Sequence, residues 1–455
     1  MQYQSLFQPA LDRPVAAALI GVGEFGLSLI AQARRMRGLA IRAALDADPA
    51  RVAATLGAAG VPHRRCASRA EAETAIAAGA LALCERLEDL LVLPLDIVVE
   101  ATGHAEAAAA HAEAAIAAGR GVAMVSKEAE CVVGPALHAR ARAAGLPHTL
   151  VDGDQPALLI GLVSWARLLG LPIVAAGKSS EYDFVFDPAA GSTRWLEREV
   201  ASPDLRNHWT IPGDPAPTLA ARATALKDLP QRTVPDFCEM ALVVNATGLM
   251  PDRVDFHAPL ARTVELPDLY APRAVGGVLK RAGIVDVFNC LRRPDEASFA
   301  GGVFVVVELA DERTGALFAG KGIPVSRDRR RALIYNPSHL LGVEAPVSIL
   351  AAARLGHSIL DADYALRCDL LARAQRDMPA GTTLAIEGNR HAVPGLEPLL
   401  MPATPDGPEA PLPYYMAVGR RLARAVSAGA LLTFADVEAP SGSALWRLRA
   451  EQAQR

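Results

Sequence analysis

The sequence predicts an α/β protein: a doubly wound parallel sheet first, then an α+β region, then a small β module. Three observations carry this. Over roughly the first 150 residues, short apolar runs alternate with Ala-rich helical stretches, the pattern of parallel strands joined by crossover helices. From about residue 160 the chain changes to Pro- and Asp-punctuated segments with longer strand-like runs, "EMALVVNATGL" and "GVFVVVELA", which suit an antiparallel sheet. The last hundred or so residues carry two echoes, "DMPAGTTLAI" and "AVSAGALLTFADV", each a Gly turn followed by a brief strand, around a Pro/Gly-rich stretch. A chain of 455 residues exceeds what one core supports. The divisions fall at 1–155, 156–358 and 359–455.

Composition narrows the function. Half the residues are apolar and 21% are charged, with a formal charge of −4, as in a globular protein rather than a disordered one. No Lys/Arg cluster interleaves with aromatics, so nucleic acid is not an expected partner. "MQYQSLFQPALDRP" has neither the basic start nor the apolar core of a signal peptide. "LLVLPLDIVV" is interrupted by Pro94 and Asp96, and no run reaches the 18 apolar residues of a membrane span. The expectation is a cytoplasmic protein with no membrane partner. The six cysteines are scattered without Cys-x-x-Cys spacing, which reads as reduced, mostly buried thiols and not as a zinc site.

In the first division, strands are expected at Val15–Ile20, 41–45, Ile97–Glu100, 122–125 and 148–151. The first runs into Gly21-Val22-Gly23-Glu24-Phe25-Gly26, and a helical pattern follows. In that context Gly21 permits a tight turn, Gly23 lets a pyrophosphate approach the backbone, and Gly26 permits close helix–strand packing. The free N–H groups of a helix start, reaching over Glu24 and Phe25, would meet the phosphates. This is a dinucleotide site on a Rossmann sheet. Asp46 ends the second strand, where an acid accepts from the adenosine ribose hydroxyls and disfavours a 2′-phosphate. That favours NAD over NADP, although Arg51 is near enough in sequence to meet a 2′-phosphate. "IVVEATGHAE" ends a buried strand in Ala101-Thr102-Gly103, at the sheet edge where cofactors bind.

Lysine usage singles out further positions. The chain has 5 lysines among 46 basic residues, leaving 41 arginines. A GC-rich genome explains the total, but the surviving lysines are enriched for places that need an amine able to change protonation. Two of them, Lys127 in "VAMVSKEAE" and Lys178 in "IVAAGKSSEYDF", follow or end apolar runs beside carboxylates, as do Glu128, Asp152, Asp154, Glu181 and Asp183. An amine beside a carboxylate can polarise a carbonyl and exchange its proton during hydride transfer. The Pro-rich stretch 202–217 reads as a lid or an insertion. "GVEAPVSILAAARLGH" reads as a helix that returns to the first division.

These motifs resemble a known group. The glycine loop, "VVEATG" and Ser126-Lys127 are similar to the first domain of homoserine dehydrogenase. The whole chain resembles the homoserine-dehydrogenase-like proteins that include the deoxyxylulose phosphate reductoisomerase-like (DRL) enzyme, through "LIGVGEFG", "EAECVVGP", "GDQPALL", "AAGK", "CEMALVVNATGLMPD", "GGVLKRAGIVD", "GVFVV" and "PSHLLGVEAP". The tail resembles an SAF (β-clip) domain. The resemblance implies an NAD(P)-dependent oxidoreductase with its site between the first two domains, and it carries over Lys178, Asp154, Glu239, Asn245, Asp252 and His339. Asp46 and Lys127 depart from the NADPH-linked DRL pattern and favour another substrate.

The resulting expectation is a homo-oligomeric dehydrogenase acting on a small polyhydroxylated carbonyl or alcohol, with or without a phosphate. Lys178, Lys127 and Asp154 would be catalytic, and Glu128, Glu239, Asn245 and His339 would bind the substrate. One rival is a true reductoisomerase of isoprenoid synthesis, whose chemistry favours a divalent metal held by Asp154, Glu181, Glu239 or Asp252. The other is a non-catalytic dinucleotide sensor. The need for a metal is left open.

Overall fold

The computed structural model describes residues 2–388 and 391–452. Its first layer is a seven-stranded, wholly parallel sheet in the order β3-β4-β2-β1-β5-β6-β7. The strands are β1 (Val15–Ile20), β2 (Leu39–Leu45), β3 (His63–Cys66), β4 (Leu81–Cys84), β5 (Ile97–Glu100), β6 (Gly121–Met124) and β7 (His148–Leu150). The connecting helices include α1 (Glu24–Ala33), α2 (Pro49–Ala58), α3 (Arg69–Ala77), α4 (Ala105–Ala117) and α5 (Lys127–Ala143). Alternate residues of β1 enter opposite cores, Ala17 and Leu19 on one face, Ala18 and Ile20 on the other, as a strand buried on both sides requires. The order reverses between β1 and β5, which puts a crevice at their carboxyl ends.

Helix α6 (Gln155–Leu168) leads into the second sheet, which is mixed rather than antiparallel. Its central strand is the long β8 (Ile173–Asp187), parallel to β9 (Ile284–Arg292) and antiparallel to β10 (Val303–Glu308), which pairs with β11 (Arg331–Asn336). "EMALVVNATGL" is not a strand but most of α7 (Val234–Thr247). Pro235 fits its first turn and Gly248, at φ +74°, ends it. The helix is buried along most of its length, so its apolar run lacks the periodicity that distinguishes a surface helix. The Pro-rich stretch is a packed part of this division: Leu205 and Trp209 join Tyr182, Phe184 and Phe186 in one core cluster. Helix α8 (Pro346–Leu355) returns to the first sheet, where Ile349 enters the core with Leu19 and Val99.

The tail pairs β12 (Cys368–Ala374) with β13 (Leu396–Pro402) in a two-stranded antiparallel sheet. The echoes meet at the isolated bridge of Met378 with Val426, and Thr383 of the first bridges Arg421, just before the second. The tail also contains a helix that its turn-rich composition conceals, α9 (Ala444–Gln452), which packs on α4 and α5 of the first domain. Leu445 and Leu448 are buried in the same core cluster as Val132, Leu370 and Tyr414. All six cysteines are free and buried. Among the described residues no helix is long and apolar enough to cross a membrane.

Candidate active site

The glycine loop has the shape that a dinucleotide requires. Ile20 pairs with Glu100, so the turn after β1 lies against the turn after β5. Gly21 has φ +90°, and a Cβ there would stand 2.5 Å from the Ala101 carbonyl. A Cβ on Gly26 would stand 2.6 Å from the Gly21 oxygen, whereas one on Gly23 would meet nothing within 4 Å. The loop is closed where helix must touch strand and open where a phosphate would enter. Helix α1 begins at Glu24 without a side-chain cap, which leaves the N–H groups of its first turn for an anion. Glu24 is exposed beside this opening and Phe25 is partly buried.

Asp46 is drawn into the loop itself. It accepts from Val22 N (2.8 Å) and Asp48 N (2.9 Å), and Arg51 Nη2 lies 3.1 Å from its Oδ1. The carboxylate therefore braces the glycine turn as well as lining its edge. On the other side, Thr102 Oγ1 donates to Glu100 (2.7 Å) and Gly103 N donates to Ser126 Oγ (2.8 Å). That last bond fixes the β5 loop to the start of α5, next to Lys127.

The crevice between the first two sheets holds alternating charges. On β8, Lys178 faces Val287 across one ladder and Val303 across the other, so its backbone is held on both sides. On α7, Asp236 and Glu239 stand three residues apart and share a face. Lys178 Nζ bonds Asp236 Oδ1 (2.7 Å) and Glu239, and Ser180 Oγ donates to Asp236 Oδ2 (2.7 Å). Lys127 Nζ bonds the other oxygen of Glu239 and lies 3.7 Å from Asp154 Oδ2. The result is a continuous row, Asp154–Lys127–Glu239–Lys178–Asp236.

Exposure separates the two lysines. The Lys178 side chain is 1% exposed, whereas Lys127 and Asp154 are 19% and 21% exposed. Lys127 and Asp154 form the front of the row, and Lys178 stands behind Glu239. Burial works against both ammonium groups, but the carboxylates prevail and raise both lysines above their ordinary value. Burial would likewise raise Glu239, yet Lys127 and Lys178 hold it at about 2. Asp236 stays raised, because burial outweighs the Lys178 charge.

Glu128, one residue on, behaves differently. Burial pushes its carboxyl up to about 7 despite the adjoining Lys127 charge. A carboxyl raised on folding stabilises the protein fully below its unfolded value, and that contribution is lost as pH rises through the folded value. Between pH 5 and pH 8 the parent should therefore lose on the order of 3 kcal/mol relative to Glu128→Gln. Denaturant unfolding of both proteins at the two pH values measures this; parallel losses would contradict it.

Other expected residues lie elsewhere. Asn245 is tied to the tail, accepting from Arg367 N (2.8 Å) and Cys368 N (3.0 Å) and donating to Cys368 O (3.3 Å). It joins α7 to β12 and is not part of the charged row. His339 bonds the Gly301 carbonyl through Nδ1 (2.7 Å), at the rim two residues before Val303. Asp183 forms an ion pair with Arg292, Asp252 bonds His257, and Glu181 is exposed. Of the four carboxylates named for a metal, Asp154 and Glu239 meet only through Lys127, and Asp252 is held by His257. Among the described residues no group of three His, Cys, Asp or Glu side chains could hold a metal ion. Asp236 and Ser180 were missed, although the i,i+3 acid pair after Pro235 in "VPDFCEM" is visible in the sequence once that run is read as a helix.

Two family models match parts of the chain. Residues 21–149 match the homoserine dehydrogenase NAD-binding domain, and residues 233–345, which include α7, match the catalytic domain of oxidoreductase DRL. The chain thus carries a match to an NAD-binding domain followed by a match to an oxidoreductase catalytic domain. No curated protein matches the chain. Among solved structures, it is similar to an oxidoreductase from Agrobacterium radiobacter in complex with NAD+, L-tartaric acid and magnesium. That alignment has 17% identity over 37% of this chain and 45% of the other, with a TM-score of 0.27. The chain thus spans less than half the length of that structure. A probable dehydrogenase from Thermotoga maritima aligns at 10% identity over 76% of this chain and 90% of its own, TM-score 0.37. The 1-deoxy-D-xylulose 5-phosphate reductoisomerase of Zymomonas mobilis, in complex with NADPH, aligns at 14% identity over 51% and 58%, TM-score 0.29.

Proposed function

We propose that the protein is an oxidoreductase that moves hydride between NAD(H) and a small polyhydroxylated carbonyl or alcohol, with or without a phosphate. The supporting observation is the row of alternating charges whose more exposed end, Lys127 and Asp154, stands beyond the carboxyl ends of β6 and β7, the sheet edge that also carries the glycine loop after β1. Gly21, Gly23 and Gly26 would hold the diphosphate, and Ala101–Gly103 would line the route to the reacting carbon. When bound, the nicotinamide supplies or accepts the hydride.

Lys127 Nζ, protonated at neutral pH, donates to the reacting oxygen and gives up a proton as that oxygen becomes an alkoxide. In the opposite direction the neutral Lys127 amine takes the alcohol proton back, and Asp154, 3.7 Å away, relays it to solvent. Glu239 keeps the Lys127 ammonium aimed and charged. Lys178 offsets the charge of Glu239 from behind and orients the oxygen through it.

A panel of aldoses, polyols, their phosphates and 1-deoxy-D-xylulose 5-phosphate, followed at 340 nm with both cofactors, tests the reading. Direct oxidation or reduction of a sugar-derived compound supports it. Carbon-skeleton rearrangement before reduction would replace it with the reductoisomerase, and cofactor binding with no turnover would replace it with the sensor.

Cofactor choice is tested without a substrate. A 2′-phosphate at Asp46 would lose a charge-assisted bond and meet a like charge. Since such a bond is worth about 1.5–3 kcal/mol, NADH should bind at least roughly tenfold tighter than NADPH. Asp46→Ser should shrink or reverse the ratio by freeing Arg51, and should weaken both cofactors by loosening Val22. Fluorescence titration of the two reduced cofactors decides; equal binding to the parent would remove NAD preference from the proposal.

A further inference from the structure

The tail reaches the charged row. His391, held at φ +53°, has its Nδ1 3.7 Å from Glu128 Oε1. Its ring stands edge-on to that of Tyr415, centroids 6.1 Å apart. Tyr415 is 4% exposed, and among the described residues neither its hydroxyl nor His391 Nδ1 has a hydrogen-bond partner. A buried phenol is ordinarily bonded, so this orphan points to a missing polar group.

Both rings line a cavity of about 140 Å³ whose opposite wall is Gly103 and His104, the loop after β5. Nothing lies within 4 Å of a Cβ built on Gly103. This wall is not loosely placed. Ala444 N donates to Glu106 (2.7 Å) at the cavity's edge, and α9 continues across α4 and α5. The tail therefore walls this cavity together with the β5 loop of the first sheet, and its His391 stands beside Glu128, the neighbour of Lys127.

We infer that His391 and Tyr415 bind substrate, together with Glu128: they recognise hydroxyl groups on the end remote from the reacting carbon. An imidazole, a phenol and a carboxyl near its midpoint offer neutral donors and acceptors. These suit a polyol chain rather than a second anion. The inference rests on the proposed hydride transfer for its substrate class, but the placement of the tail stands apart from it.

The test has two arms on the full-length protein. Diethyl pyrocarbonate modification, read residue by residue by mass spectrometry, should slow severalfold at His391 when NAD+ and a pentitol such as xylitol or a pentose such as D-xylulose are added, while exposed His357 is unchanged. In the second arm, Tyr415→Phe should raise KM for the best panel compound by about three- to tenfold, the worth of one neutral hydrogen bond. NADH affinity should stay within twofold, and a deoxy analogue lacking the remote hydroxyl should not feel the substitution. An unprotected His391 with NAD+ and every panel compound, or an unchanged KM where the parent turns over, overturns the inference. If no panel compound is turned over but NAD+ with one of them still protects His391, the hydride-transfer reading fails and the inferred wall survives.

Discussion

Lys127→Met should lower kcat by at least about a hundredfold, the usual worth of a positioned proton donor, with dinucleotide affinity within about threefold. The substitution removes the ammonium that faces the crevice and leaves the glycine loop untouched. Lys127→Arg should recover only part of the loss, since a guanidinium keeps the charge but does not release a proton near neutral pH. Lys178→Met gives the contrasting result. Its ammonium is enclosed by Asp236 and Glu239, so its loss leaves buried carboxylates short of a partner and should cost about 3–5 kcal/mol of stability as well as activity. Turnover, cofactor titration and denaturant midpoints on the three variants separate the roles. A Lys127→Met protein within a few-fold of the parent would end its assignment as proton donor.

Arg449→Met should destabilise by a similar amount, about 3–5 kcal/mol, without touching the charged row. Arg449 is 1% exposed and grips Asp369 with two nitrogens (2.7 and 2.8 Å) and Asp406 with a third contact at 2.9 Å. Removing the guanidinium strands Asp369, itself 3% exposed. Asp369→Asn added to Arg449→Met should restore part of the loss, because the charge left unpaired disappears. Unfolding midpoints of the single and double variants measure both effects. A single variant as stable as the parent would show that Leu445 and Leu448 hold the helix unaided.

What could be read in advance followed local rules. The glycine turn after β1 and Ala101–Gly103 after β5 each sit at the end of a continuous apolar run, and both lie at the strand ends as expected. The scarcity of lysine drew attention to Lys127 and Lys178, which share Glu239. Strand β3 has no sequence signal because it reads His-Arg-Arg-Cys, and β4, Leu-Ala-Leu-Cys, continues the Ala-rich stretch before it. Helix α7 was misread because a helix buried nearly all round has no polar stripe, and with it went Asp236. Which lysine faces the crevice depends on packing between β8, α5 and α7, and no spacing along the chain encodes that. The contact of His391 with Glu128 joins residues more than 250 positions apart and had no local signature.

The helix at 444–452 also sets an order of events during synthesis. Helices α4 and α5 are made early, yet the partners that cover them, such as Gln452 against Ala136, come 316 residues later. At ribosomal rates of about 5–20 residues per second, their outer face waits roughly 15–60 s for its cover. During that interval the nascent first domain carries an apolar surface that chaperones can hold and neighbouring chains can capture. Slow codons placed between α5 and α9 would lengthen that exposure, and soluble yield should fall with them even though the finished protein is the same.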